Sequence, residues 1–391
     1  MSQTILFVYP TLFNPKVGGV ERVTDLLAKE FIKLGHSVLY LHNFPNKDLM
    51  DYEYPCPIHF FPKEQWSNTE NREFYHSFLK EKDINIVINQ CGSFDDSELY
   101  IDVINNVKTI SVLHSNPMQC YEYLYTSLLC CDTINISNIA FGVLSILKYP
   151  WFKRNYKKYC IGILEYLSNH TTKICLLSYG YIDEILKYYK KNVSGILKKL
   201  CVIPNPNTFT PHACIKKNQL LYVGRLDRGQ KRPDRLLKIW KRLYKKFPDW
   251  EMVIVGDGKE RLRLEKEAKK LERISFVGFQ SPEQYYRDAS ILCLTSNFEG
   301  FGMVLTEAMS FGTIPFAFDS YSAVHDIIED GKTGVLVKPF SINEYANKLA
   351  SLMSDEDERN RMSANCITDV TRFSLDNIVN QWEDLFKSLV G

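Results

Sequence analysis

Short apolar runs alternate with amphipathic stretches along almost the whole chain. In the first half the runs are Ile5–Tyr9, Val38–Leu41, Ile84–Ile88, Thr109–Leu113, Ile174–Leu177 and Leu200–Ile203. Each is short and apolar on both faces, as a strand buried in a parallel sheet must be. Helical spacing lies between them. Val20, Val23, Leu27, Phe31 and Leu34 fall on one face, and Gly35 stops that helix. The second half repeats the rhythm with Leu220–Val223, Met252–Val255, Ile274–Val277, Ile291–Leu294, Ile314–Phe318 and Gly334–Val337. Strand–helix alternation predicts an α/β fold of two doubly wound sheets. Between the halves, IPNPNTFTPHACIKKN (203–218) is rich in Pro and aperiodic, which reads as a linker. The pattern gives an N-terminal domain over 1–210 and a C-terminal domain over 211–372. An amphipathic helix in 373–391 is expected to pack back on the first domain. Ligands of open α/β sheets sit beyond the carboxyl ends of the strands, so a cleft between two such sheets is where one is expected.

One stretch breaks the rhythm. From Pro117 to about Thr171 no clean strand appears, and this is read as an insertion. It contains KYPWFKRNYKKY, Lys148–Tyr159, and from Thr133 to Leu164 there are five basic residues and no acidic one. Two readings fit. The bases are a solvated helix face, or they form an interfacial patch. In the second case Trp151 and Phe152 enter a membrane surface while Lys153, Arg154, Lys157 and Lys158 meet anionic lipid. The longest apolar run, Ile139–Leu147, is far short of the ~18–20 residues that span a bilayer. The opening MSQTILFVYP reads as a strand and not as a signal peptide.

Composition narrows the class. A chain of 391 residues, 45% hydrophobic and 24% charged, is globular and long enough for two domains. With 48 Lys and Arg against 46 Asp and Glu, the net charge of +2 gives no whole-chain reason to expect nucleic acid as a partner. Eleven Cys, an odd number without a CxxC pair, read as reduced thiols of a cytoplasmic protein and not as metal ligands.

The densest chemical signal is SNFEGFGMVLTEAMSFG, Ser296–Gly312, directly after the run Ile291–Leu294. Gly300 and Gly302 stand where a loop turns into a helix, which lets backbone approach a ligand and offers free N–H groups to an anion such as a diphosphate. The spacing puts Glu299 in that loop and Glu307 about one and a half turns into the helix, both able to face one ligand. VGRLDRGQKRPDRLL, Val223–Leu237, places Arg225 at a strand end and Lys231 before a helix. Arg225 can fork across two oxygens and Lys231 supplies a point charge, a plausible phosphate site. In the first half, Gly18 and Gly19 precede the helix at Val20, another anion-friendly start without the GxGxxG fingerprint. His114 ends TISVLH, at the strand edge that faces a cleft in such sheets. Each of these has an ordinary structural reading when taken alone.

Together, Gly18–Gly19, Arg225 with Lys231, Glu299 and Glu307 within EGFG, and Ile203–Asn205 carry a resemblance. The chain resembles the retaining glycosyltransferases of family 4, whose GT-B fold has two Rossmann-like domains facing each other across a cleft. The resemblance is dense over 218–340 and thin over 43–170. It implies a nucleotide-sugar donor on the C-terminal domain and a glycan or lipid-linked acceptor on the N-terminal one. Arg225 and Lys231 would hold the diphosphate, and Glu307 the ribose hydroxyls. Glu299 and the backbone of Phe301, Gly302, Met303 and Val304 would contact sugar and phosphate. Val277–Phe279 would cup the base, Gly19 would approach the diphosphate, and His114 would lie near the reacting carbon. Uridine is the commoner base in that family. No cofactor is implied, since cations and helix starts can neutralise the leaving diphosphate without a metal. One position departs from the family: AVHDII carries Asp326 where a Glu is usual. The implied product is surface polysaccharide or glycolipid, made in the cytoplasm or on the inner face of the cytoplasmic membrane. A nucleotide-sugar epimerase of the same fold and a non-catalytic nucleotide-sugar-binding subunit are the alternatives.

Overall fold

The computed structural model describes the chain except for residues 1, 16–17, 46–48, 50–51, 65–67, 91, 93–105, 125–147 and 391. The apolar run Ile139–Leu147 lies outside the described residues. The chain folds into two compact units. One holds residues 1–120, 155–206 and 375–391, the other 121–154 and 207–374.

The first unit is built on a seven-stranded sheet in the order β3-β2-β1-β4-β5-β6-β7. The strands are β1 Thr4–Thr11, β2 Ser37–Phe44, β3 Ile58–Phe60, β4 Ile86–Asn89, β5 Lys108–Leu113, β6 Lys173–Leu176 and β7 Leu200–Val202. All pairings are parallel. Ile5, Leu6, Phe7 and Val8 of β1 are fully buried on both sides, which is why this segment reads as one unbroken apolar run. The expected first helix spans Gly19–Lys33 and buries Val23, Leu27 and Phe31. The C-terminal helix Leu375–Val390 buries Ile378, Val379, Trp382 and Phe386, a single stripe at helical spacing. Phe31 meets that stripe edge-on at Trp382 and Phe386, with ring centroids 6.4 and 5.2 Å apart. His36 Nε2 lies 2.8 Å from Glu383 beside it.

The second unit repeats the design in a six-stranded parallel sheet, order β10-β9-β8-β11-β12-β13. Its strands are β8 Lys217–Val223, β9 Glu251–Val255, β10 Ile274–Gly278, β11 Ala289–Leu294, β12 Ile314–Phe318 and β13 Val335–Val337. Every residue of β11 and β12 is buried. Trp240 anchors the helix Pro233–Leu243 in the core and spends its one N–H on the Glu272 carbonyl at 2.9 Å. In both sheets the order reverses at the first strand, so each has a topological switch point: beside β1 and β4, and beside β8 and β11.

Every run expected as a strand forms one. The strand that pattern reading missed is β3, three half-buried residues at a sheet edge, too short to show a period. Within 117–171 the described residues form the helices Gln119–Glu122 and Tyr149–His170. Among the described residues no helix is long and apolar enough to cross a membrane.

Candidate active site

Two loops leave the second sheet at its switch point, one after β8 and one after β11, and they are locked together. Asn297 N–H donates to the Gln230 carbonyl at 2.7 Å, and its side-chain amide donates to the Gly229 carbonyl at 2.6 Å. Arg235 is buried and donates to the Thr295 carbonyl (3.0 Å) and to Asn297 Oδ1 (2.7 Å), while its guanidinium stacks 4.1 Å from the Phe340 ring centroid. Arg232 turns the chain into the following helix with φ 52° and is held there by a two-pronged pair to Asp234, at 2.8 and 2.9 Å. A third loop comes close as well. Gly256, after β9, has φ 136°, and a Cβ there would collide with the Gly224 carbonyl oxygen.

This frame brings Lys231 and Glu299 together. Lys231 Nζ lies 2.7 Å from both carboxylate oxygens of Glu299, and Ser296 Oγ donates to the same carboxylate at 2.6 Å. The side chains are 15% and 5% exposed. Arg225 has the opposite character. Its side chain is 71% exposed, with Nη2 on Gln230 Oε1 at 2.9 Å and Nε 3.6 Å from Asp227. The edge therefore holds one cation fixed by a carboxylate and one turned to solvent. Burial pushes the neighbouring Tyr222 phenol well above its usual range, with the Glu299 charge adding to it. That hydroxyl stays protonated and donates to the Arg225 carbonyl at 2.9 Å.

Glu307 sits inside the helix Met303–Met309, and Glu299 in the loop before it, as the spacing predicts. Glu307 is buried and accepts from Tyr286 Oη at 2.9 Å and from Thr208 Oγ1 at 3.1 Å. A carboxylate has about four acceptor positions, and these two hydroxyls take one on each oxygen. Gly302 precedes the helix at φ 95°, and a Cβ there would lie 2.6 Å from Tyr321 Oη. The Phe301 ring is buried against Phe373, at 5.6 Å. Met303 and Val304 are half-buried at the helix start. Val277, next to last in β10, has its carbonyl accepting from Gln280 at 3.1 Å, and Phe279 just beyond the strand is 67% exposed. Asp326 closes the short turn Ser322–Asp326, half-buried, next to the exposed pair His325–Asp319 at 2.8 Å.

In the first unit His114 follows β5 and Gln90 follows β4. His114 Nε2 stands 2.6 Å from Gln90 Oε1, and burial lowers the imidazole pKa to about 4. Gly18 caps the helix Gly19–Lys33 in extended conformation. The carboxylate of Glu21 fills the space beside Gly18 and accepts from Tyr9 Oη at 3.0 Å. Of the basic and aromatic stretch, Trp151, Lys153, Arg154 and Lys158 are exposed, and Phe152 and Lys157 half-buried, all on the helix Tyr149–His170.

Sequence reasoning missed Gln230, Ser296, Asn297 and Arg235, although all lie inside the two motifs it singled out. It had no signal for Tyr286 and Thr208, which reach Glu307 from 21 and 99 residues away.

These features define a class: a protein of two Rossmann-like sheets, the second with Arg225 and the Lys231–Glu299 pair at its switch-point edge. Residues 211–368 match Glycosyl transferases group 1, and the fold is the GT-B fold of solved glycosyltransferases. The chain is 33% identical over 190 residues to an uncharacterized glycosyltransferase of Haemophilus influenzae, covering 47% of this chain and 54% of that one, so it spans about half that relative's length. It is 28% identical over 320 residues, 78% of this chain and 86% of the other, to a Campylobacter jejuni enzyme. That enzyme is named as an alpha-1,4-N-acetyl-D-galactosaminyltransferase acting on GalNAc-alpha-(1->4)-GalNAc-alpha-(1->3)-diNAcBac-PP-undecaprenol. The crystal structure of Anabaena Alr3699/HepE in complex with UDP has the same fold, with a TM-score of 0.72 at 17% identity, covering 99% of this chain and all of that one.

Proposed function

We propose that this chain is a retaining, metal-independent glycosyltransferase. It moves a sugar from a UDP-sugar to a hydroxyl of a glycan or lipid-linked acceptor, in the synthesis of surface polysaccharide or glycolipid at the cytoplasmic face of a membrane. The observation that carries this reading is the switch-point edge of the second sheet, where Gln230 bridges Arg225 and the Lys231–Glu299 pair, and the buried Glu307 lies on the helix that follows the Glu299 loop. The Campylobacter relative's lipid-linked substrate and the UDP held by the Anabaena structure support the acceptor class and the base.

The chemistry follows from charge. When the bond between the sugar's C1 and the diphosphate oxygen breaks, that oxygen gains negative charge. Arg225 forks onto the diphosphate, and Lys231, already oriented by Glu299, stands beside the same oxygens. The acceptor hydroxyl attacks C1 from the face the diphosphate leaves, and its proton passes to the departing phosphate oxygen, which balances the transfer and keeps the anomeric configuration. Glu307 accepts from the ribose hydroxyls and Phe279 covers the base. His114, held neutral by burial, takes a hydroxyl of the sugar. The cations supply the neutralisation that a divalent ion gives elsewhere.

Calorimetric titration of UDP and of GDP into chelator-treated protein, beside Arg225→Ala, tests the site. UDP binds without metal, and the variant loses roughly 100-fold in transfer rate. Binding that needs a divalent ion, or that ignores Arg225, overturns the assignment.

A further inference from the structure

The carboxyl ends of β4 and β5, paired strands of the first sheet, bring Gln90 beside His114. Gln90 is 3% exposed. Its side-chain carbonyl Oε1 lies 2.6 Å from His114 Nε2. A carbonyl oxygen has no hydrogen to give, so the shared proton belongs to Nε2. In a neutral imidazole the other ring nitrogen is then a bare lone pair. That nitrogen, Nδ1, is buried and makes no hydrogen bond among the described residues. A buried acceptor without a donor is unfavourable until something supplies an O–H or N–H. Burial is the cause of the low His114 pKa, and no charge among the described residues contributes to it, so the ring stays neutral across the working range.

We propose that Gln90 is a positioning residue that locks His114 in its Nε2–H tautomer and so makes Nδ1 a dedicated acceptor for one hydroxyl of the transferred sugar. The second half of this statement rests on the reading of His114 as a contact to the donor sugar. The first half does not. The consequence for specificity is direct. A donor that lacks the matching hydroxyl leaves Nδ1 unpaired in a buried place and is discriminated against, and a ring in the other tautomer offers an N–H instead of a lone pair, so the hydroxyl has to turn and accept.

The tautomer is read by two-dimensional 15N–1H NMR of histidine-labelled protein without substrate. The rate is read as UDP release on a panel of UDP-glucose, UDP-galactose and their N-acetyl forms. Wild-type His114 carries its proton on Nε2 between about pH 5.5 and 8. Gln90→Met, which offers no acceptor, shows mixed tautomers, and kcat falls by roughly 10- to 100-fold while KM for the donor moves little. Gln90→Glu keeps an acceptor at Nε2. It restores the tautomer and most of kcat at alkaline pH, with a new acid limb as the added carboxylate raises the His114 pKa. A proton on Nδ1 in the wild type, or an unchanged tautomer in Gln90→Met, overturns the lock whatever the enzyme turns over. A tautomer that shifts while kcat does not overturns the link to catalysis. If His114→Ala transfers as fast as the wild type, the reading of His114 fails and the lock stands as structure only.

Discussion

At the scale of single residues the site is governed by one nearly buried ion pair. Lys231 and Glu299 lie mostly out of water, so removing either partner leaves an uncompensated charge. Such a cut typically costs about 3–5 kcal/mol, and the low end applies here because Lys231 keeps some exposure and Glu299 keeps Ser296. Lys231→Met should therefore lower the melting temperature as well as the rate. The double variant Lys231→Met/Glu299→Gln removes both charges and should recover most of the melting temperature while transfer stays at least roughly 100-fold down. Thermal melts beside UDP-release assays on all three proteins check this. Recovery of rate together with stability would mean the pair is only a structural brace. Why these residues were legible is clear from the chain. Lys231 and Glu299 lie in the loops that follow apolar runs, and Glu307 in the helix that follows the second of them. The partners of Glu307 were not, because Tyr286 and Thr208 come to it through the tertiary fold and belong to no local pattern.

At the scale of elements, the helix Tyr149–His170 is the one whose two ends behave differently. Its later half buries Cys160, Leu164 and Leu167 as an ordinary stripe. Its earlier half buries almost nothing, leaving Trp151 61% exposed and Tyr156 and Tyr159 exposed as well. Lys153 lies over the rings of Tyr121 and Tyr149 at 5.5 and 5.8 Å, so bases and aromatics interleave. An exposed Trp on a helix that also exposes Lys153, Arg154 and Lys158 fits the surface of an anionic bilayer, where each Lys or Arg contributes about 1 kcal/mol. Wild type should float with vesicles containing phosphatidylglycerol and not with neutral phosphatidylcholine. Reversing Lys153, Arg154, Lys157 and Lys158 to Glu should abolish flotation while UDP affinity is kept. Retained flotation in that variant would remove the patch from consideration. The same element marks where pattern reading weakens. Strands buried on both faces announce themselves as apolar runs. A helix exposed on most sides for half its length, or a three-residue edge strand such as β3, has no periodic face to read.

At the scale of the molecule the two sheets share a winding order but differ in how they answer to acid. Two buried imidazoles of the first unit, His42 and His114, each have their pKa lowered from 6.5 to about 4 by burial. His42 donates from Nδ1 to the Tyr9 carbonyl at 3.0 Å and, like His114, is folded in its neutral form. In an unfolded chain both rings take up protons near pH 6.5. Between that pH and about 4 the unfolded state binds more protons than the folded one, so stability is full above 6.5 and falls as the pH drops through this window. The second unit's notable shift is Lys216, lowered to about 8 by burial while it donates to the Tyr286 carbonyl and to Thr313. Its linkage acts only between about 8 and 10.5, where stability rises with pH, and it is flat in the acid window. Calorimetric melts from about pH 7 to 4.5 should then show the first unit's transition moving down steeply and the second unit's moving little. His42→Gln and His114→Gln, which cannot take up that proton, should each flatten the first unit's pH slope, whatever they do to its absolute melting temperature. A slope left intact in both variants would move the acid sensitivity away from the imidazoles and onto the carboxylates.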